Sequence, residues 1–199
     1  MDDWPCSPLR VSPQAFGATD GGIPPQGSQE WQLRAARADD AEACAALAVA
    51  AWQRVHAAYA AILGADMHQR LFAGWEEAKA RDVGSVVRDQ PERALVAVAN
   101  DTIVGFVTFR QDFVRQIGVL GNNAVHPDWQ GRGIAGAFYQ AVLATMRANG
   151  MRLVQVTTGL DEGHAPARAA YQKAGFVVGL PSITYYQDLG GATEANPSQ

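Results

Sequence analysis

The segment Val125-His-Pro-Asp-Trp-Gln-Gly-Arg-Gly-Ile-Ala-Gly136 constrains this chain more than any other. A strand ends there, a glycine-rich loop follows, and Ile134, Phe138, Val142 and Met146 then repeat every fourth residue as far as Asn149-Gly150. This spacing predicts a helix launched directly from the loop. A loop of this kind presents unpaired backbone N–H groups to whatever lies above the helix N-terminus. The helix dipole adds ~0.3–1 kcal/mol for an anion held there. Glycine lets the backbone approach a guest with no β-carbon in the way. A pyrophosphate is the natural guest.

Around that loop the pattern reads as α/β. Trp31 to Arg37 alternates and can open a sheet; Asp39 and Asp40 are suited to cap the alanine-rich helix that follows. In that helix Trp52, Val55, His56, Tyr59, Ile62 and Leu63 fall at helical spacing, and Gly64 stops it. A second helical piece is expected over Met67 to Lys79. Ala94 to Ala99 and Thr102 to Arg110 read as strands joined by Asn100-Asp101, a pair that tolerates left-handed backbone angles. A third strand covers Arg115 to Val125, and the short connections make the sheet antiparallel to this point. After the loop and its helix come a β-branched strand, Arg152 to Thr158, and a short helix, Pro166 to Ala174, stopped by Gly175. Phe176 to Val178 and Ile183 to Tyr186 are expected as closing strands.

Composition narrows the function. With 199 residues, 48% of them hydrophobic, the chain can fill one ordinary domain. Residues 1–30 hold five of the ten prolines and few aliphatic side chains, so they are expected as a disordered tail. Residues 190–199 read as a second tail, leaving 31–189 as the domain. A net charge of −4 argues against a general nucleic-acid binder. Cys6 and Cys44 make neither a disulfide framework nor a metal knuckle. His56, His68, His126 and His164 are scattered, so no metal is expected. The longest apolar run, Ala43 to Trp52, is far short of the ~20 residues of a membrane span. With no signal-like start, a cytoplasmic protein without membrane contact is expected.

Gly131, Gly133 and Gly136 also satisfy Gly-x-Gly-x-x-Gly, the dinucleotide fingerprint. Against it, His126 to Gln130 separate the strand from the glycines, the nearest later carboxylate, Asp161, lies past the next strand, and too little chain remains for a second nucleotide-binding half. A tight turn with no ligand is the plainer alternative.

A second reading fits the same residues better. Gln130-Gly-Arg-Gly133-Ile-Ala135 resembles the Gln/Arg-x-x-Gly-x-Gly/Ala signature of the GNAT superfamily of acyl-CoA-dependent N-acyltransferases. Val125-His-Pro127 resembles its strand ending, and Ala167-x-x-x-Tyr171-x-Lys-x-Gly175-Phe176 its later Ala-x-x-x-Tyr-x-x-x-Gly-Phe element. The resemblance spans roughly Trp31 to Leu189. It implies a GNAT-like mixed α/β sheet: an antiparallel first half, a central parallel βαβ step, and splayed strands four and five. It implies acetyl-CoA as cosubstrate, its pantetheine arm paired with the main chain at Asn123 and Val125. The amides of Gln130, Gly131, Arg132, Gly133, Ile134, Ala135 and Gly136 would hold the diphosphate. Arg132 can add charge or lie on the surface. Tyr171 would give a proton to the departing thiolate, and a backbone N–H near Val125 would hold the oxyanion. His164 stands where the family often has Asn, which implies a cofactor-side role; as a plain helix-start residue it needs none. Relatives often form homodimers.

The chemistry supports Tyr171, since a phenol of pKa ~10 can protonate a thiolate whose acid has pKa ~8.5. The acceptor ammonium, pKa ~10.4, must first lose a proton. Many relatives place a glutamate on strand four for this, but Ile117 to Val125 holds no carboxylate. Asn122 or Asn123 can orient a water; His126 can act as base or sit exposed in its loop. Trp52, His56 and Tyr59 are candidates for the acceptor wall, and equally a core stripe. The expected acceptor is a small-molecule or peptide amine. The missing carboxylate leaves open an acyl-CoA-binding sensor or interaction module without transfer, and the glycine coincidence leaves open an NAD-type dehydrogenase.

Overall fold

The computed structural model describes residues 30–189. Both expected tails lie outside the described residues, Glu30 excepted.

Five strands form one sheet in chain order: β1 (Gln32–Ala35), β2 (Ala94–Ala99), β3 (Thr102–Asp112), β4 (Ile117–Val125) and β5 (Leu153–Val156). The first four pair antiparallel; β4 and β5 pair parallel. Asn100 and Asp101 turn the β2–β3 hairpin at φ 48° and 58°, the left-handed pair that a two-residue loop needs.

Helices cover both faces. Alternate strand residues Val96, Phe106 and Ala124 pack with Cys44, Leu47 and Ala48 of α1 (Ala41–Leu63) and Val83 and Val87 of α3 (Trp75–Asp89). Leu95, Val107, Phe109 and Leu120 point the other way, onto α4 (Ile134–Ala148) and Tyr171 of α5 (Ala165–Lys173). The four-residue stripe of α4 is its buried face: Ile134, Phe138, Val142 and Met146 are each at most 1% exposed. Each such side chain contributes about 1.5–3 kcal/mol by leaving water. Strand glycines let α4 lie close, since a Cβ on Gly105 would sit 3.1 Å from the Phe138 ring and one on Gly118 would overlap the Met146 thioether.

Three expectations need correction. The single helix over Met67 to Lys79 is two, α2 (Ala65–Phe72) and α3, broken where Gly74 takes φ 72°. Helix α3 continues to Asp89 because Val83 and Val87, one turn apart, bury completely against α1 and the sheet. Asp40 does not cap α1 with its side chain. Its carboxylate turns back to accept Arg34 Nη1 and Nη2 at 2.6 and 2.8 Å and the Arg37 N–H at 2.7 Å, latching β1 to the helix start. The Arg34 bonds hold its pKa below the usual carboxylate range, against the opposing effect of burial. Finally, residues 176–178 and 183–186 form no strand. Val177, Val178, Leu180, Ile183 and Tyr185 are exposed, and β5 is the sheet edge. Their β-branched composition suits a strand, but a strand exists only when a ladder partner takes its backbone groups.

Candidate active site

The site starts from a gap in the sheet. Strands β4 and β5 pair only from Ile117↔Leu153 to Leu120↔Val156, after which β5 stops and β4 runs on to Val125. A bulge sits at that point: Gly121 and Asn122 together oppose Thr108, and a Cβ on Gly121 would overlap the Thr108 hydroxyl. Asn122, in the bulge, bonds to residues of α3, whereas Asn123, just past it, bonds to tyrosines of α4 and α5. The His126 N–H donates to the Val104 carbonyl at 2.8 Å. Ladder bonds alternate, so the N–H and C=O of Val125 turn away from β3 and into the gap. Gln130 Nε2 donates to that carbonyl at 3.1 Å, tying the loop to the strand end and leaving the Val125 N–H facing the gap.

The glycine loop is open above. Gly131 and Gly133 take φ 76° and 82°, and a Cβ on Gly131, Gly133 or Gly136 would meet no atom within 4 Å. The α4 ladder begins with Ala137 N–H to the Gly133 carbonyl, so the N–H groups of Ile134, Ala135 and Gly136 lack intrahelical acceptors. The Ile134 side chain is buried in the core, which leaves only its amide to face outward. Arg132 is turned aside: it pairs with Glu30, and its guanidinium lies 4.5 Å from the Trp129 ring centre. The loop thus offers peptide N–H groups and no covering side chain, which fits a diphosphate.

At the other end of the gap Asn123 joins two tyrosines. Tyr139 donates to Asn123 Oδ1 at 2.9 Å, and Asn123 Nδ2 donates to the Tyr171 hydroxyl at 2.9 Å. Tyr171 accepts in this pair, so its own proton stays available. Burial pushes its phenol above the usual value, against the pull of the Asn123 bond and the neighbouring Tyr139 hydroxyl, which lower it. Burial raises Tyr139 further, with Tyr171 adding to the effect.

On the other side of the sheet, helices α1, α2 and α3 enclose a ring-lined pocket of about 470 Å³ whose wall includes Trp52, His56 and Tyr59 of α1 with Phe72, Trp75, Lys79 and Asp82. His56 stacks on Trp75 at 3.9 Å and shares a 3.1 Å hydrogen bond between its Nδ1 and His68 Nε2. Burial, then the neighbouring His68 and Lys79, lower the basicity of His56. Lys79 lies 4.3 Å from the Trp52 ring centre and donates to Asn122 Oδ1, while Asn122 Nδ2 donates to Asp82. Asn122 therefore links the pocket floor to the β4 bulge. Along the proposed α1 stripe, Val55 and His56 are buried but Ile62 is 70% exposed.

His126 is exposed and takes the Asp128 N–H at 3.3 Å, so it serves its own turn. His164 closes the short 3-10 turn Glu162–His164, which packs on α1, and its Nδ1 lies 2.7 Å from Asp161 Oδ2. The Asn123–Tyr139–Tyr171 chain, the Asp161–His164 pair and the α3 residues of the pocket escaped sequence reasoning. The short spacing from Asp161 to His164 was the only local signal; the other partners are far apart in sequence.

A mixed sheet whose two parallel strands part beside an open helix N-terminus is the frame that carries these groups. Residues 52–176 match the model of the Acetyltransferase (GNAT) family. The chain belongs to the GNAT family and is an acetyltransferase. Solved structures agree on the fold. One similar structure is the aminoglycoside N-acetyltransferase AAC(6′)-Iy in complex with CoA, at 20% identity and TM-score 0.53 over 83% of this chain and 99% of that one. Another is the PaiA N-acetyltransferase from Thermoplasma acidophilum in complex with coenzyme A, at 17% identity and TM-score 0.57 over 75% and 91%. Ard1 from Thermoplasma volcanium matches at 20% identity and TM-score 0.54 over 76% and 85%. No curated protein matches. Among the described residues no helix is long and apolar enough to cross a membrane.

Proposed function

We propose that this chain moves an acetyl group from acetyl-CoA to a primary amine on a small molecule or peptide. The carrying observation is that the uncovered 131–136 turn is tied through Gln130 to the Val125 end of β4, whose ladder with β5 stops at Leu120. The amides of the turn would hold the diphosphate, and the main chain at Asn123 and Val125 would hold the pantetheine arm. Acetyl-CoA supplies an acyl thioester. The Val125 N–H, which faces the gap, is suited to hold the oxyanion. Tyr171, kept protonated by burial and with its own hydrogen uncommitted to Asn123, is suited to protonate the departing thiolate.

On the acceptor side, the pocket of Trp52, His56 and Tyr59 supports an amine carried on a flat or apolar body. The solved AAC(6′)-Iy complex with a CoA-S-monomethyl-acetylneamine bisubstrate analog supports an amine acceptor in this fold.

The test is thiol release from acetyl-CoA with 2-phenylethylamine, an aminoglycoside, free amino acids and a short peptide, beside calorimetric titration with CoA. The expected result is CoA binding and at least one amine that accelerates thiol release above hydrolysis. CoA binding with no transfer to any amine would refute the transferase reading.

A further inference from the structure

Strand β4 has no carboxylate to take the acceptor's proton, yet the fold carries a built proton-accepting pair beside the pocket. Asp161 Oδ2 lies 2.7 Å from His164 Nδ1, and both side chains are largely covered, at 7% and 16% exposure. A carboxylate only accepts, so Nδ1 carries the hydrogen and the Nε2 lone pair is open. Burial pushes the Asp161 carboxyl up, but its bonds to His164 and to backbone N–H groups outweigh that and keep it ionised.

The surroundings are shaped to this pair. A Cβ on Gly159 would overlap Asp161 Oδ2 and lie 2.6 Å from His164 Nδ1; one on Gly163 would lie 2.8 Å from Asp161 Oδ1 and from the α1 backbone at Val55. Neither glycine has a positive φ, so the demand is for space. Arg168 Nη1 of α5 donates to the carbonyls of Gly159 and Asp161, both at 2.7 Å, and pins the loop. From α1, Arg54 reaches the Glu162 carbonyl and Tyr59 sets its ring 6.1 Å from His164. The groups that face His164 are thus Asp161 on its own loop, Tyr59 and Arg54 from α1, and Arg168 from α5. Tyr59 also walls the aromatic pocket, so its ring links that wall to His164, which stands at the start of the helix that bears Tyr171.

We propose that His164 Nε2 takes the proton from the acceptor ammonium, directly or through one water, with Asp161 as its positioning residue. This rests on the transferase reading above. The proton passes from the ammonium to Nε2 and on to solvent. The freed nitrogen lone pair forms the C–N bond, the C–S bond breaks, and the sulfur leaves with its electron pair. Tyr171 protonates the sulfur and is restored by the second proton that the nitrogen sheds. His56, which also lines the pocket, is the rival base; its stacking on Trp75 and its lowered basicity suit a wall better than a proton acceptor.

The experiment compares wild type, His164→Gln, Asp161→Asn and His56→Gln with acetyl-CoA and the fastest amine of the panel. It reads kcat/KM against pH, CoA affinity by calorimetry, and the imidazole N–H resonances by NMR. His164→Gln should lose at least tenfold in kcat/KM at neutral pH, with the acid limb of the profile replaced by the slope set by free amine, and CoA affinity unchanged. Asp161→Asn should shift that limb to lower pH and lose the hydrogen-bonded Nδ1–H resonance. Loss of the limb in His56→Gln alone, or a His164→Gln profile parallel to wild type, would overturn the proposal. So would weaker CoA binding with the pH profile intact, which would give His164 a cofactor-side role. Wild type that binds CoA but transfers to no amine would sink the transferase reading itself.

Discussion

Replacing Gly136 separates the needs of the fold from those of the ligand. Gly136 lies in the first turn of α4 with helical backbone angles, and a Cβ there would meet no atom within 4 Å. Alanine should therefore raise stability, by at most about 1 kcal/mol from helix propensity, which is roughly 2–4 °C in Tm for a chain of this size. Glutamate should also be tolerated, since an acidic residue near a helix N-terminus adds ~0.3–1 kcal/mol. The same carboxylate would stand in the space assigned to the diphosphate. Two unit charges 4 Å apart repel by about 4 kcal/mol at an effective dielectric of about 20, and by about half that once solvent screens an exposed side chain. CoA affinity should then fall roughly 30- to 700-fold. Gly133 is a poorer probe, because its φ of 82° strains any L side chain. Thermal unfolding without ligand and calorimetric titration with CoA read the two effects separately. Gly136→Glu that folds normally and binds CoA as wild type does would refute the placement of the diphosphate over this turn.

Tyr171→Phe should lower kcat by roughly 10²–10⁴-fold with CoA affinity little changed, because only the proton donor is removed; steady-state kinetics beside calorimetry decide it. Asp40→Asn should destabilise by about 1–2 kcal/mol at pH 7, since charged hydrogen bonds to Arg34 are lost and Arg34 is only partly screened. The native pKa of Asp40 is depressed, so its contribution is full above the unfolded pKa of ~3.9 and vanishes as pH falls through the lower native value. Wild type and Asp40→Asn should therefore begin to converge in stability as pH falls below about 4 and meet only below the native pKa, and a gap that does not narrow on acidification would contradict the linkage. Gly118→Ala should cost about 1–3 kcal/mol, because the new methyl must displace the fully buried Met146 side chain; denaturant melts measure it.

Where local chemistry forces one outcome, the linear order of residues was enough. The Ile134, Phe138, Val142 and Met146 stripe could only be a one-sided helix, and Asn100-Asp101 between two β-branched runs could only be a tight hairpin. The strand–glycine loop–helix unit carried its anion-binding character in its own backbone. Residues 176–186 were illegible for the opposite reason: a strand depends on a partner elsewhere in the chain, and β5 remains the edge of the sheet. The split at Gly74 rests on one backbone angle that composition does not fix.

The site divides along the same line. Tyr171 and the glycines were marked by spacing, because one short helix and one loop set their geometry. That Asn123 holds Tyr171 and Tyr139 together, while its neighbour Asn122 faces Lys79 and Asp82, was decided by the β4 bulge and by helices packed on opposite faces of the sheet. The Asp161–His164 pair is close in sequence, yet its place beside Tyr59 exists only because the loop docks on α1. Backbone preferences act between near neighbours and are written in the order of residues; proximity between distant segments is fixed only when the cores on both faces of the sheet close.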